Sequence, residues 1–252
     1  MTGVALITGA ATGLGRALTE TLLAEGWTVH GVDRDEAGLA SFGANFVPYT
    51  ADLSDIASLD GLVGSFGDAQ FDLVIHNAGI SATGRFEEIP AEAHARLLAV
   101  NVHAPILLTN ALLESQAFQS NARLVFVSSL SHVTGYPGAA SYGASKDAIA
   151  SYGASLRKRL KRDGIKVSVV FPGPLRTEHA ERHAPEGAQA EKRMAPEQAA
   201  KAILAGAWRG QAAIYPGVAA KAAAFAGRIA PGGMARVMRR VIYDKLDRTV
   251  AD

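Results

Sequence analysis

The chain has 252 residues, 48% of them hydrophobic, which is enough to bury a substantial core in an α/β fold. Its 25 Lys and Arg nearly cancel its 24 Asp and Glu, leaving no sign of the clustered basic surface that nucleic acid requires. With no cysteine, disulfides and thiol chemistry are excluded, and the composition fits a reducing cytosol.

The first apolar run, GVALITG (3–9), leads into TGAATGLG (Thr8–Gly15), and a helical pattern follows at once over 14–26, closed by Gly26. Glycines at such a strand-to-helix turn let the backbone approach a pyrophosphate closely, and the helix start offers unpaired N–H groups. The spacing is G-x-x-x-G-x-G, on Gly9, Gly13 and Gly15, a departure from the G-x-G-x-x-G fingerprint. A second run, TVHGVD (28–33), ends in Asp33, 18 residues past Gly15. A carboxylate there can accept hydrogen bonds from both hydroxyls of an adenosine ribose and repels a 2′-phosphate, which favours NAD. The adjacent Arg34 pulls toward NADP.

Further strand-like runs are NFVPYTADL (45–53), FDLVIHNAG (71–79), RLVFVSS (123–129), KVSVVFPG (166–173) and AAIYPG (212–217). Helical patterns separate them, notably a long amphipathic one over 90–118 and another over 142–164, which carries Ile149, Tyr152, Leu156 and Leu160 and ends at Gly164. Alternation of continuously apolar strands with helices predicts a parallel sheet covered by helices on both faces, a three-layer αβα sandwich. No repeat or linker interrupts the chain before about residue 218, so 1–252 is taken as one domain. The N-terminus lacks the basic region of a signal peptide, and no apolar run is expected to reach the roughly 20 residues that span a bilayer. A soluble, cytoplasmic protein is the expectation.

Within the 142–164 pattern, YGASK sets the phenol of Tyr142 and the ammonium of Lys146 four residues apart, on one face of a helix. A cation near a phenol favours the phenolate, so the pair can serve as a general acid and base; by itself it could equally be a polar helix face. Ser129 closes a buried strand at the edge where ligands of open α/β sheets sit, and its hydroxyl could hold a substrate oxygen. Asn101 interrupts a strong helical pattern, where its propensity is poor.

Together, TGAATGLG, HNAG (76–79), AVN ending at Asn101, SS at 128–129, YGASK and PGPLRT (172–177) stand in the order and spacing of the classical short-chain dehydrogenases/reductases, which the chain resembles over roughly 3–217. The resemblance implies a Rossmann-type doubly wound sheet of seven strands and NAD(P)-dependent exchange of a hydride with a secondary alcohol, ketone or aldehyde. It implies a catalytic tetrad of Asn101, Ser129, Tyr142 and Lys146, with a water at Asn101 relaying protons to the lysine. For the cofactor it implies Gly9, Thr12, Gly13, Leu14, Gly15, Asp33, Arg34, the pair Asp52 and Leu53 at adenine, Asn77, Ala78, Gly79, Tyr142, Lys146, Pro172, Gly173, and Thr177 near the nicotinamide amide. NAD is preferred over NADP on the strength of Asp33, and a homodimer or homotetramer is expected. His76 departs from the usual Asn of this family, with little consequence expected.

Residues 174–195 take the place of the family's substrate-covering loop. HAERH (179–183) within it offers two histidines at i and i+4, but lacks H-E-x-x-H order and sits among charged and small residues, so a solvated segment is favoured over a metal site. Residues 218–252 form a less standard extension, rich in Ala, Arg and Met, broken by Pro231 into two helices. Packing on the body or a partner subunit is its leading reading; lining the substrate pocket, or lying as a basic amphipathic helix on an anionic membrane, are the lesser ones. Two rivals to a dehydrogenase remain. A dinucleotide-binding sensor of the same fold would not need the tetrad, and a sugar-nucleotide epimerase would need a longer C-terminal domain.

Overall fold

The computed structural model describes residues 2–184, 189–246 and 248–252. Seven strands form one parallel sheet: β1 (Val4–Thr8), β2 (Thr28–Asp33), β3 (Phe46–Thr50), β4 (Phe71–His76), β6 (Phe118–Val127), β7 (Lys166–Val170) and β8 (Ala213–Ile214), in the order β3-β2-β1-β4-β6-β7-β8. All seven coincide with apolar runs. Two further strands, β5 (Ala82–Thr83) and β9 (Val250–Ala251), pair antiparallel outside the sheet. The order reverses beside β1, which pairs with β2 on one side and β4 on the other. At such a switch point the carboxyl ends of neighbouring strands part and leave a crevice for a ligand.

Period-two alternation divides the core between the faces. Ala5 and Ile7 point to one face, where they join α1 (Gly13–Ala24) and α9 (Pro196–Trp208) through Leu18, Leu22, Ile203 and Leu204. Leu6 points to the other and meets α3 (Leu59–Ser65), α5 (Ala104–Glu114) and α7 (Ala140–Leu160). Each fully buried Leu or Ile stabilises the fold by roughly 1.5–3 kcal/mol. Smaller helices complete the connections: α2 (Glu36–Ala40), α4 (Ala91–Leu98), α6 (Ser131–Thr134) and α8 (Glu178–Arg182). The C-terminal extension forms α10 (Gly217–Ile229) and α11 (Pro231–Val241), which pack on α6, and then returns through β9.

The pattern over 90–118 is not one regular helix. A π-helical turn, Ala99–His103, separates α4 from α5 and contains Asn101. Contrary to the sequence expectation, Ala91–Glu114 is long and apolar enough by composition to cross a membrane. Its apolar residues Val100, Ala104, Leu108 and Leu112 instead fill the core against the sheet, the behaviour of a buried core helix.

His76 ends β4 fully inside the protein. Its Nε2 lies 2.9 Å from the Thr109 hydroxyl, its ring stacks on Phe126 at 5.1 Å, and Nδ1 has no partner. Burial pushes its pKa down to about 3, so the folded state holds it neutral. The unfolded chain takes up a proton below about pH 6.5, so this contribution to stability is complete above that value and is lost as pH falls toward 3. Replacing His76 with Asn removes that penalty. The expected result is an acid-unfolding midpoint shifted to lower pH in the variant, read by circular dichroism against a wild type compared at pH 7; an unchanged midpoint would show that His76 does not drive acid unfolding.

Candidate active site

The Gly-rich turn follows β1 directly. Gly9 and Gly13 adopt φ of +67° and +53°, a region that disfavours side chains. A Cβ on Gly15 would lie 1.8 Å from the Gly9 carbonyl oxygen, so the turn can close only on glycine there. Thr12 caps α1 without a side-chain hydrogen bond, and no acid occupies the first turn. The first N–H groups of α1 are thus open to an anion, while Leu14 is buried behind them. The Thr8 hydroxyl accepts from the N–H groups of Asn77 and Ala78, and Asn77 Nδ2 donates to the carbonyls of Thr8 and Gly9, all at 3.1 Å. Asn77 therefore braces the end of β4 against the turn. From the opposite wall Thr177, which caps α8, brings its methyl to 3.3 Å from where a Gly13 Cβ would stand. Pro172 and Gly173 follow β7, with the Pro172 carbonyl accepting from Leu130 N–H at 2.9 Å.

At the end of β2, Asp33 accepts from Ala11 N–H at 3.0 Å through one oxygen and from Asp35 N–H at 3.1 Å through the other. The carboxylate is thereby fixed beside the Gly-rich turn with lone pairs to spare. Arg34 is exposed and its charge acts on Asp52. Burial raises the Asp52 pKa, but hydrogen bonds from the Ser54 N–H and hydroxyl, with the charges of Arg96 and Arg34, outweigh it and hold the carboxyl below its usual range. Leu53 beside it is buried in the core.

The tetrad residues converge. The Ser129 hydroxyl accepts from Ser131 N–H at 3.1 Å and lies near enough to the Tyr142 phenol to lower its pKa. Lys146, buried on the next turn of α7, donates to the Val127 carbonyl at 3.1 Å and lies 5.8 Å from the centre of the Tyr142 ring. A Cβ on Gly79 would meet Lys146 Nζ at 2.8 Å and Asn101 Oδ1 at 3.3 Å, so a larger residue there would displace the ammonium. Asn101 uses its side chain as a brace. Its Oδ1 accepts from Ile80 N–H at 2.9 Å, and its Nδ2 donates to the Ile80 carbonyl at 3.0 Å and Ser145 Oγ at 2.9 Å. The neighbouring Ser128 hydroxyl donates to the Lys146 carbonyl at 2.8 Å, tying β6 to α7.

The lowering of Tyr142 expected from the lysine does not appear in this state. Burial pushes the Tyr142 phenol up to about 12, against the lowering by Ser129, with Tyr136 adding to the rise. Burial likewise pushes Lys146 down to about 8, which weakens the cation meant to favour the phenolate. Desolvation is the largest influence on both groups.

Sequence reading missed two neighbours of this site. Tyr136 stands edge-on to Tyr142 at 6.1 Å and its hydroxyl donates to the His183 carbonyl at 3.4 Å. HAERH is not a solvated stretch: His183 is buried, with Nδ1 at 3.0 Å from the Thr83 hydroxyl and Nε2 at 2.9 Å from Asp252 Oδ2. Asp252 also meets His179 at 3.2 Å, Arg182 at 2.7 Å and Ser81 N–H at 3.1 Å. Burial raises this carboxyl, but those bonds overcome it and hold its pKa far below the usual range. The group fastens α8 to the β5–β9 pair. Among the described residues the ligand-capable atoms of His179, His183 and Asp252 lie within 4.8 Å of one another. Residues 185–188 of the expected substrate loop fall outside the described residues.

Comparison with known proteins places this arrangement. The family profile described as short chain dehydrogenase matches residues 3–187. The 3-oxoacyl-(acyl-carrier-protein) reductase FabG of Escherichia coli (strain K12) is 29% identical over 183 residues, covering 69% of this chain and 74% of that protein. An uncharacterized oxidoreductase of Myxococcus xanthus (strain DK1622) is 32% identical over 190 residues, covering 69% and 72%. A short chain dehydrogenase from Burkholderia cenocepacia J2315, solved in complex with NADP, superposes with a TM-score of 0.79 at 26% identity, over 94% of this chain and 97% of that one. The profile spans well over half of the chain and takes in both the Gly-rich turn and the Tyr142–Lys146 pair, so the chain belongs to the short-chain dehydrogenase family.

Proposed function

We propose that the protein is an NAD(P)-dependent oxidoreductase that exchanges a hydride with a secondary alcohol or a ketone or aldehyde, with NAD(H) preferred and Tyr142 as general acid and base. One observation carries the reading: the ring of Tyr142, with Ser129 beside it, is centred 5.8 Å from the Lys146 ammonium, which shares the space at Gly79 with Asn101, next to a glycine cradle and an uncapped helix start. The residues present fit a dinucleotide. The first turn of α1 would hold the pyrophosphate, Asp33 the ribose hydroxyls, Leu53 and Asp52 the adenine side, and Ala78, Gly79, Pro172, Gly173 and Thr177 the nicotinamide half. When bound, the dinucleotide supplies or accepts the hydride. Tyr142, protonated across the neutral range with its pKa near 12, gives its proton to the substrate oxygen in reduction and takes it back in oxidation. Ser129 orients that oxygen. Lys146 re-protonates the phenol, and the π turn at Asn101 is the place for a water that supplies the lysine. His179, His183 and Asp252 act as a clasp rather than a metal site, because Arg182 already sets a cation on that carboxylate. The neighbourhood of Leu98 and Leu107, exposed on α4 and α5, is where copies of the chain would meet in a dimer or tetramer.

The test is turnover of a panel of ketones and secondary alcohols beside a fluorescence titration with NADH. Binding without turnover across the panel would favour the dinucleotide sensor. Cofactor choice gives a second readout. Thr12 is uncharged and Arg34 is partly offset by Asp52, so Asp33 decides. Charge interactions at such a partly exposed site support about ten- to a hundredfold preference for NADH over NADPH in kcat/KM. Asp33→Ser should narrow or reverse that ratio. A wild type that prefers NADPH would show that Arg34 prevails.

A further inference from the structure

The C-terminal extension exposes much of its apolar surface, most clearly on α10. On α10 the small residues Ala220, Ala224 and Gly227 face the body, and a Cβ on Gly227 would stand 2.2 Å from the Val133 carbonyl oxygen, so the helix lies tightly on α6. The opposite face carries Val218, Ala222, Phe225 and Ile229, one stripe at helical spacing, with Val218 83%, Phe225 68% and Ile229 67% exposed. Helix α11 has apolar side chains on both sides. Met234, Met238 and Ile242 turn toward the body, while Val237 and Val241 are exposed one turn apart, with exposed Tyr243 just beyond. Six of the nine large apolar side chains exposed among the described residues lie in this stretch. A soluble helix normally buries its large residues and exposes its small ones; α10 inverts this, and α11 adds Val237 and Val241 to the exposed apolar surface, as suits an apolar medium.

Charge tells which medium. The same two helices and the turn after them carry six exposed cations, Lys221, Arg228, Arg236, Arg239, Arg240 and Lys245, against the single acid Asp244, in a chain whose total charge is +1. A second copy seated on this face would set the Arg236, Arg239 and Arg240 cluster against its own image at close range. An anionic lipid surface satisfies both properties at once: the acyl boundary takes Val218, Phe225, Ile229, Val237 and Val241, and the headgroups take the guanidinium and ammonium groups at the rim. We infer that α10 and α11 form a peripheral docking surface for an anionic membrane.

The full-length protein is tested by flotation with vesicles of phosphatidylcholine alone and of phosphatidylcholine with about a third phosphatidylglycerol. The wild type should float with the anionic vesicles and not with the neutral ones, and the bound fraction should fall at least about tenfold in high salt. Two double variants, Phe225→Glu with Ile229→Glu and Arg236→Ser with Arg240→Ser, should each lose binding at least about tenfold while still binding NADH, which checks folding. Absence of flotation with anionic vesicles, equal flotation with neutral ones, or unchanged binding by either variant would overturn the inference. So would a change from oligomer to monomer in the first variant without vesicle binding by the wild type, which would assign the face to a second copy of the chain.

Discussion

Replacing Tyr142 with Phe should lower kcat/KM by more than a hundredfold, a loss of at least about 3 kcal/mol of transition-state stabilisation. The substitution keeps the ring that packs on Tyr136 and removes only the hydroxyl. The hydride can still reach the carbonyl carbon, but the oxygen then gains negative charge with no proton donor facing it. Water is a poor substitute, being a weaker acid than a phenol and not held in place by α7. Dinucleotide affinity should change little, because the Gly-rich turn, Asp33 and the start of α1 are untouched. A variant with near-wild-type turnover would remove Tyr142 from the acid–base role.

Replacing Lys146 with Met should reduce turnover at least about a hundredfold and also weaken NADH binding by about tenfold. The two effects have one origin. The ammonium sits between Val127 and the space above Gly79, next to Asn101, where it can serve both the phenol and the nicotinamide ribose. With its pKa near 8, Lys146 loses charge as pH rises through that value. The wild-type rate of carbonyl reduction should therefore fall on the alkaline side of about pH 8, and the variant should lack that limb. A change in turnover without a change in NADH affinity would mean that the lysine serves the phenol only.

Much of this site was legible in the residues because its parts are local. The Gly-rich turn needs glycine for reasons seen within a few positions: Gly15 has no room for a Cβ, and Gly9 and Gly13 take positive φ. Tyr142 and Lys146 meet because a helix sets i and i+4 on one face. The strands were legible because burial on both faces leaves continuous apolar runs, as in VALIT and KVSVV. What was hidden is non-local or irregular. The π turn at Asn101 shifts helical phase in a stretch whose composition stays helical. The β5–β9 pair has two residues on each side, too few to show a period. His183 reads as a charged-segment histidine until Asp252, 69 positions away, arrives beside it. The rise in Tyr142's pKa also could not be foreseen, since it depends on how far the fold, through distant residues, withdraws the phenol from water.

The most direct test of the central claim is isotopic. Wild-type protein is supplied with NADH carrying deuterium at the transferable C4 position and a panel of ketones and aldehydes, and the products are examined by mass spectrometry and NMR. One deuterium on the carbinol carbon of a product alcohol, with a proton from solvent on its oxygen, is the expected result. Tight NADH binding with no label transferred to any carbonyl would contradict it and leave the protein a dinucleotide-binding module.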